Sequence, residues 1–248
     1  MAQSATDVTL LAQADLVFLA ADLLRRPDEG DTAPWADAMG ALPELLRAAG
    51  IAHNRALLGS LREALLAAMV AEHEPWREEY HRLFEGLLLC PPNQTAYVRR
   101  DKGAIIGDAC GFYLAFGFRP RDDAGEKPDH IVSQLEFVAL LLAMAYNAPD
   151  EERRRLVADA LRDFADSHLG EWLPSFAGRL ASVTQMGLYS AVARALRELW
   201  EALAEHHGLR ADPSTAGAPE PEPDEPYECG LAPSPAAPVQ VNFRGCAV

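Results

Sequence analysis

Basic residues are scarce in this chain: 22 Lys and Arg stand against 37 Asp and Glu over 248 residues, for a net charge of −15. A surface of that sign repels phosphate backbones and anionic lipid, and it attracts a cationic peptide or protein segment. Nucleic-acid binding and stable membrane insertion are therefore not expected. Long apolar runs are also missing, since nothing approaches the ~20 residues of a membrane span. The densest early stretch, Val17 to Ala21, lies between Asp15 and Asp22. Met1 to Asp7 is polar with no basic flank, which is not the opening of a secretory signal. The four cysteines, Cys90, Cys110, Cys229 and Cys246, contain no Cys-x-x-Cys pair. A disulfide framework and a zinc site by local spacing are thus unexpected, and the reading is a reduced, cytoplasmic protein. Alternating β-branched runs with tight glycine turns are almost absent, so strands are not expected.

What remains is helical. Residues 1–208 are rich in Ala, Leu, Glu and Arg, all good helix formers. The pattern predicts helices at Asp7–Arg26, Pro34–Ala49, His53–Glu72, Pro75–Phe84, Gly103–Phe116, Pro128–Tyr146, Asp150–Ser167, Glu171–Ala181 and Val183–His206. Loops are expected at Gly86–Thr95, Gly117–Lys127 and around Gly170. This is an all-α single globular domain of about nine or ten helices. Residues 209–248 read as a separate, mostly disordered acidic tail holding eight of the 18 prolines, with a less polar end, Val239 to Cys246, that could dock.

Most catalytic signatures are missing. Gly103 and Gly107 open no phosphate loop, and there is no Gly-x-Ser-x-Gly elbow and no His-Glu-x-x-His helix. Cys90 and Cys110 read as buried apolar residues. Cys229 and Cys246, 17 positions apart in the tail, are candidates for a metal, a cluster or a disulfide, against a null of two solvated thiols. Glu78 and His81 have the Glu-x-x-His spacing of di-iron bundles, but no second copy follows. Arg25 and Arg26 are not an export address, because Pro27, Asp28, Glu29, Gly30 and Asp31 follow where an apolar segment is needed; they read as a helix terminus.

Two clusters stand out. Glu126, Pro128, Asp129 and His130 open the helix that continues through Ser133, Gln134, Leu135, Glu136 and Phe137. Capping chemistry covers Pro128 and Asp129 but not Glu136, which sits amid apolar neighbours. At 100° per residue Asp129, Ser133 and Glu136 share a face, an acidic stripe beside Leu135, Phe137 and Val138. Such a stripe suits a peptide bearing arginines and then leucines, because carboxylates take guanidinium by paired hydrogen bonds. The second cluster is Trp76, Glu79, Tyr80, Leu83, Phe84 and Gly86, leading into a loop stiffened by Pro91 and Pro92, then Tyr97.

These residues carry a resemblance. Glu79-Tyr80-His81-Arg82-Leu83-Phe84-Glu85-Gly86 with Pro91-Pro92 and Tyr97, then Gly111-Phe112-Tyr113 to Gly117-Phe118, then Glu126-Lys127-Pro128-Asp129-His130-Ile131 into Leu135-Glu136-Phe137, and more weakly Leu169, Trp172, Leu173, Phe176 and Tyr189, occur in the order of the TorD/DmsD family of cytoplasmic chaperones for molybdenum oxidoreductases. The resemblance covers about residues 8–206 and not the tail.

It implies an all-helical, non-enzymatic protein without a cofactor. Such a protein binds the twin-arginine signal peptide of a molybdopterin-containing catalytic subunit and delays export until that cofactor is inserted. It further implies that Pro128, Asp129 and His130 line the peptide site with Glu136 in support, and that Tyr80, Pro92 and Tyr97 are walls. One departure is plain: where the family often has an aromatic and a Glu after the proline pair, this chain has Asn93 and Gln94, so one charge is absent from the loop. The tail carries −4 of the net charge, leaving the body −11, a sign that suits steering of a cationic leader. The alternative is a helical metal-dependent enzyme using Glu78, His81 and further carboxylates; direct nucleotide binding is a weaker third reading. Monomer and homodimer both remain open.

Overall fold

In a computed structural model of the chain, residues 5–27, 33–118, 127–210 and 216–219 are described. Nine α-helices form the body among these residues: α1 (Ala5–Asp22), α2 (Ala33–Ala48), α3 (Arg55–Val70), α4 (His73–Tyr80), α5 (Lys102–Ala115), α6 (Ile131–Tyr146), α7 (Glu151–Phe164), α8 (Gly170–Val183) and α9 (Gly187–His207). A π turn, His81–Glu85, extends α4, and a second, Ala165–Leu169, joins α7 to α8 without a break. The loop expected around Gly170 is therefore helical. Counted as continuous rods the helices are eight, slightly below the number expected. No extended strand occurs among the described residues, only isolated antiparallel bridges.

Helix α6 is the centre. Its buried residues, among them Ile131, Leu135, Val138, Leu142 on one side and Phe137, Leu141, Ala145 on another, leave little of its circumference to solvent. A helix apolar nearly all round must be flanked on several faces, and α1 and α7 pack against it. Helix α9 packs on both α3 and α8. Helix α7 shows the opposite pattern: Val157, Leu161 and Phe164 form one buried stripe, while Glu151, Glu152 and Arg155 face water. Aromatic edge-to-face contacts fill the space between α5, α6 and α7, with the Phe137 ring 4.7 Å from Phe164 and 4.8 Å from Tyr113.

Two expectations are corrected at element ends. Helix α1 stops at Asp22, so Arg25 and Arg26 lie in the exit turn beyond it rather than in its last turn. Helix α6 begins at Ile131, three residues after the expected Pro128. The reason is a competing pairing: Ile131 N–H donates to the Pro92 carbonyl at 2.8 Å and Gln94 N–H to the Asp129 carbonyl at 3.0 Å, which pulls residues 128–130 out of the helix. Within the presumed tail, Ala216 pairs with Val98, and Gly217 N–H donates to the Tyr97 carbonyl at 2.9 Å, so residues 216–219 lie along the loop before α5. Residues 220–248, with Cys229 and Cys246, fall outside the described residues, as does Glu126.

Candidate functional site

The entrance to α6 is a latch. Asp129 is 0% exposed. Its Oδ2 accepts from Thr95 N–H at 3.1 Å and from the Thr95 hydroxyl at 2.7 Å, while Oδ1 accepts from Asn93 Nδ2 at 3.0 Å. Because it precedes the helix, Asp129 does not share a helical face with Ser133 and Glu136. Its carboxylate turns inward to fasten the Asn93–Thr95 loop and is not open to an external guanidinium in this conformation. The Pro128 carbonyl accepts from the Tyr113 hydroxyl at 2.6 Å. His130 caps α6: its Nδ1 accepts from Val132 N–H at 3.2 Å, which requires the proton on Nε2 when the ring is neutral. Burial, and then the nearby charge of Arg25, push His130 down to about 4.

Tyr80, Pro92 and Tyr97 are buried as well. Tyr80 packs edge-on to Phe84 with ring centroids 5.0 Å apart, and Tyr97 lies 5.3 Å from Trp172. The Tyr97 hydroxyl sits 3.6 Å from Cys90 Sγ, and burial raises the pKa of both groups, the thiol to about 12. Cys90 is buried as expected, whereas Cys110 is partly exposed. Tyr80, Pro92 and Tyr97 are all packed into the interior and present no open wall in this conformation.

Glu136 differs from them. Its side chain is 12% exposed and takes a hydrogen bond from Arg25 Nη2. Arg25 also donates from Nε to Asp22 Oδ1 at 2.8 Å. The next residue, Arg26, donates from Nη2 to Glu85 Oε2 at 3.2 Å, and His81 Nδ1 stands 3.2 Å from the same oxygen. Two consecutive arginines are thus held by two carboxylates from different elements, α6 and the π turn after α4. A Cβ at Gly86 would lie 2.4 Å from His81 Nε2, so a side chain there would turn the exposed His81 ring away from Glu85. Glu85 and Arg25 were not singled out by sequence reasoning as a site. Their approach spans 111 positions for Arg25–Glu136 and 59 for Arg26–Glu85, which no local spacing reveals.

Two further carboxylates, Glu79 of the first motif and Glu171 in the first turn of α8, are structural. Glu79 takes paired bonds from Arg82 at 2.7 and 2.8 Å, plus the Gln185 N–H at 2.7 Å and the Thr184 hydroxyl at 2.8 Å, clasping the π turn to the α8–α9 junction. Burial raises its pKa, but the bonds from Arg82, Gln185 and Thr184 outweigh that and hold it low. Glu171 accepts from Arg100 Nη2 at 2.6 Å and from Gln94 Nε2 at 3.2 Å. Gln94 is fully buried. Its Oε1 accepts from Gln134 at 2.8 Å and lies 3.0 Å from His168 Nδ1. The charge absent after the proline pair therefore concerns an internal network, where a Glu at 94 would face Glu171.

Glu78 is exposed, and His81 is bound to Glu85. Among the described residues no group of three or more His, Cys, Asp or Glu is arranged to hold a metal ion. The metal-enzyme reading gathers no third ligand around this pair. Elsewhere, a groove of about 570 Å³ opens between α5 and α7, floored by Phe112, Phe116 and Leu156 and edged by Glu152 and Asp163.

A model of the nitrate reductase delta subunit family matches residues 47–178, more than half of the chain. The chain belongs to this family. The matched span holds the α6 latch, Glu85, Glu136 and the Gln94 network. Among curated relatives, the selenate reductase assembly chaperone of Thauera selenatis is 33% identical over 156 residues, 61% of this chain and 80% of that protein. The chaperone protein TorD of Vibrio cholerae serotype O1 is 38% identical over 103 residues, covering 40% of this chain and 47% of TorD. The chlorate reductase assembly chaperone of Ideonella dechloratans is 37% identical over 82 residues, covering 33% of this chain and 42% of that protein. With the last two, this family member aligns over less than half of their length. No described helix is long and apolar enough to cross a membrane.

Proposed function

We propose that the protein is a cytoplasmic assembly chaperone that binds the twin-arginine signal peptide of a molybdopterin-containing oxidoreductase precursor. It holds that leader until the client's cofactor is in place, and it breaks no bond itself. The family match and the names of the relatives support the chaperone role. The observation that carries the peptide reading is the pair of carboxylates, Glu85 and Glu136, already engaging consecutive guanidinium groups. Arginine's fixed fork matches a carboxylate where an ammonium cannot. Leu87, two residues after Glu85, is 69% exposed and offers an apolar contact for the residues that follow an arginine pair. In this proposal Glu136 contacts the leader with His130 and Pro128 at the edge, while Asp129, Tyr80, Pro92 and Tyr97 keep the floor rigid.

Titration calorimetry of the full chain tests this with two synthetic peptides, one bearing Arg-Arg before a leucine-rich run and one bearing Lys-Lys there. Saturable binding that weakens on the lysine exchange is expected. Equal affinity for both peptides, or none for either in the unaltered chain and in its Arg25→Ala/Arg26→Ala variant, rejects the reading. Loss of binding in Glu152→Lys/Asp163→Lys, with full binding retained in Glu85→Gln/Glu136→Gln, moves the peptide to the α5–α7 groove.

A further inference from the structure

The chain's own Arg25 and Arg26 occupy the carboxylates that the proposed function assigns to a client. They are adjacent in sequence, as a leader's arginines are, and each reaches a different acidic residue. They also sit outside the helix, in the exit turn after Asp22, where Leu24 N–H and Arg25 N–H still bond to the Ala21 and Asp22 carbonyls. Leu23, Leu24 and Pro27 anchor this turn in the core, so the guanidinium groups leave by side-chain rotation and α1 stays intact. The two contacts are unequal in depth. Arg26 is 49% exposed and Glu85 31%, so water reaches their pair, whereas Glu136 is at 12% beneath Arg25. Exposed pairs of this type are weakly held and exchange readily. The adjoining loop carries strain: Leu88 is the sole non-glycine residue with positive φ among the described residues, at 48°, a backbone region that disfavours L side chains.

We propose that Arg25-Arg26 is an intramolecular stand-in for the client's arginine pair, closing Glu85 and Glu136 in the unliganded protein and leaving when a leader binds. The inference rests on the twin-arginine reading above. Exchange of one guanidinium for another leaves both carboxylates paired in the closed unliganded protein and again in the peptide-bound one. It also sets specificity. Arg25 spans two carboxylates at once, Nε on Asp22 and Nη2 on Glu136, a reach that a peptide arginine can copy and a lysine ammonium cannot on equal terms. Leu87 and the strained turn at Leu88 then lie next to the residues that follow the arginine pair.

The test uses the full chain, the same Arg-Arg and Lys-Lys peptides, and circular dichroism to confirm the fold of each variant. Arg25→Ala/Arg26→Ala should tighten binding of the Arg-Arg peptide by about tenfold, the gain expected when a clasp closed in ~90% of molecules is removed. Arg26→Ala alone, at the half-exposed contact, should give part of that gain and serves if the double variant is unfolded. Glu85→Gln/Glu136→Gln should weaken the Arg-Arg peptide by about tenfold or more and abolish its advantage over Lys-Lys. If the unaltered protein binds the Arg-Arg peptide and folded Arg26→Ala and Glu85→Gln/Glu136→Gln bind it with unchanged affinity, the clasp is wrong and the chaperone reading stands. If neither the unaltered protein nor the arginine variants bind it, the peptide reading itself falls, and the clasp with it. Binding that appears only after Arg25 and Arg26 are removed supports the clasp directly.

Discussion

Asp129→Ala tests whether this carboxylate is a latch or a ligand. The substitution removes the acceptor for three donors: Thr95 N–H at 3.1 Å, the Thr95 hydroxyl at 2.7 Å and Asn93 Nδ2 at 3.0 Å. Asn93 is half-buried and its amide can turn toward water, but Thr95 is buried. Two orphaned donors at ~1–3 kcal/mol each, with the lost charge assistance, give a destabilisation of about 3–5 kcal/mol. Urea unfolding followed by far-UV circular dichroism measures it. With a slope of ~2–3 kcal/mol per molar for a chain of this size, the midpoint should fall by about 1.5 M. Asp129→Asn should recover only part of this, because one oxygen becomes an NH₂ group facing a donor. Thr95→Ala combined with Asp129→Ala should cost less than the sum of the single variants, since both break the same bonds. A loss below ~1 kcal/mol for Asp129→Ala would refute the latch and return Asp129 to the surface as a candidate peptide contact.

The remaining expectations are briefer. His130 is held down to about 4, so between pH 6.5 and 4 the unfolded chain takes up a proton that the native chain refuses. Its contribution is complete above pH 6.5 and is lost as pH falls through that window, by about 3 kcal/mol in all. His130→Gln should flatten the slope of stability against pH there, and an unchanged slope would contradict the assignment. Gln94→Glu should lower stability by about 2–4 kcal/mol, by placing a second carboxylate against Glu171 in a buried network; an unshifted thermal midpoint would show that the network tolerates charge. In a Cys229→Ser/Cys246→Ser background, a thiol reagent at neutral pH should label Cys110 and spare Cys90, which is buried and pushed up to about 12. Equal labelling rates would mean that the Cys90 region opens freely.

The fold class and nearly every helix were legible because apolar residues recur with the helical period and proline or glycine punctuates the ends. Where the reading went astray, long-range pairing overrode local preference. Pro128 and Asp129 have good credentials for a helix start, yet bonds to Pro92 and Gln94 hold residues 128–130 outside α6. Gly170 reads as a breaker, yet the π turn before it keeps α7 and α8 continuous and turns His168 toward Gln94 and Asp108. Asp129 and Glu136 look alike on a helical wheel, but one is sealed against Thr95 and the other faces Arg25.

Composition and periodicity by themselves determined a helical, acidic protein, because charge sign and hydrophobic spacing are properties of the chain read in order. Motif order pointed to its family for the same reason. Only the tertiary structure decided which carboxylates are consumed internally and which stay near the surface. That choice depends on partners 34 to 111 positions away, and a carboxylate's chemistry is set by the donors that reach it and not by its neighbours in sequence.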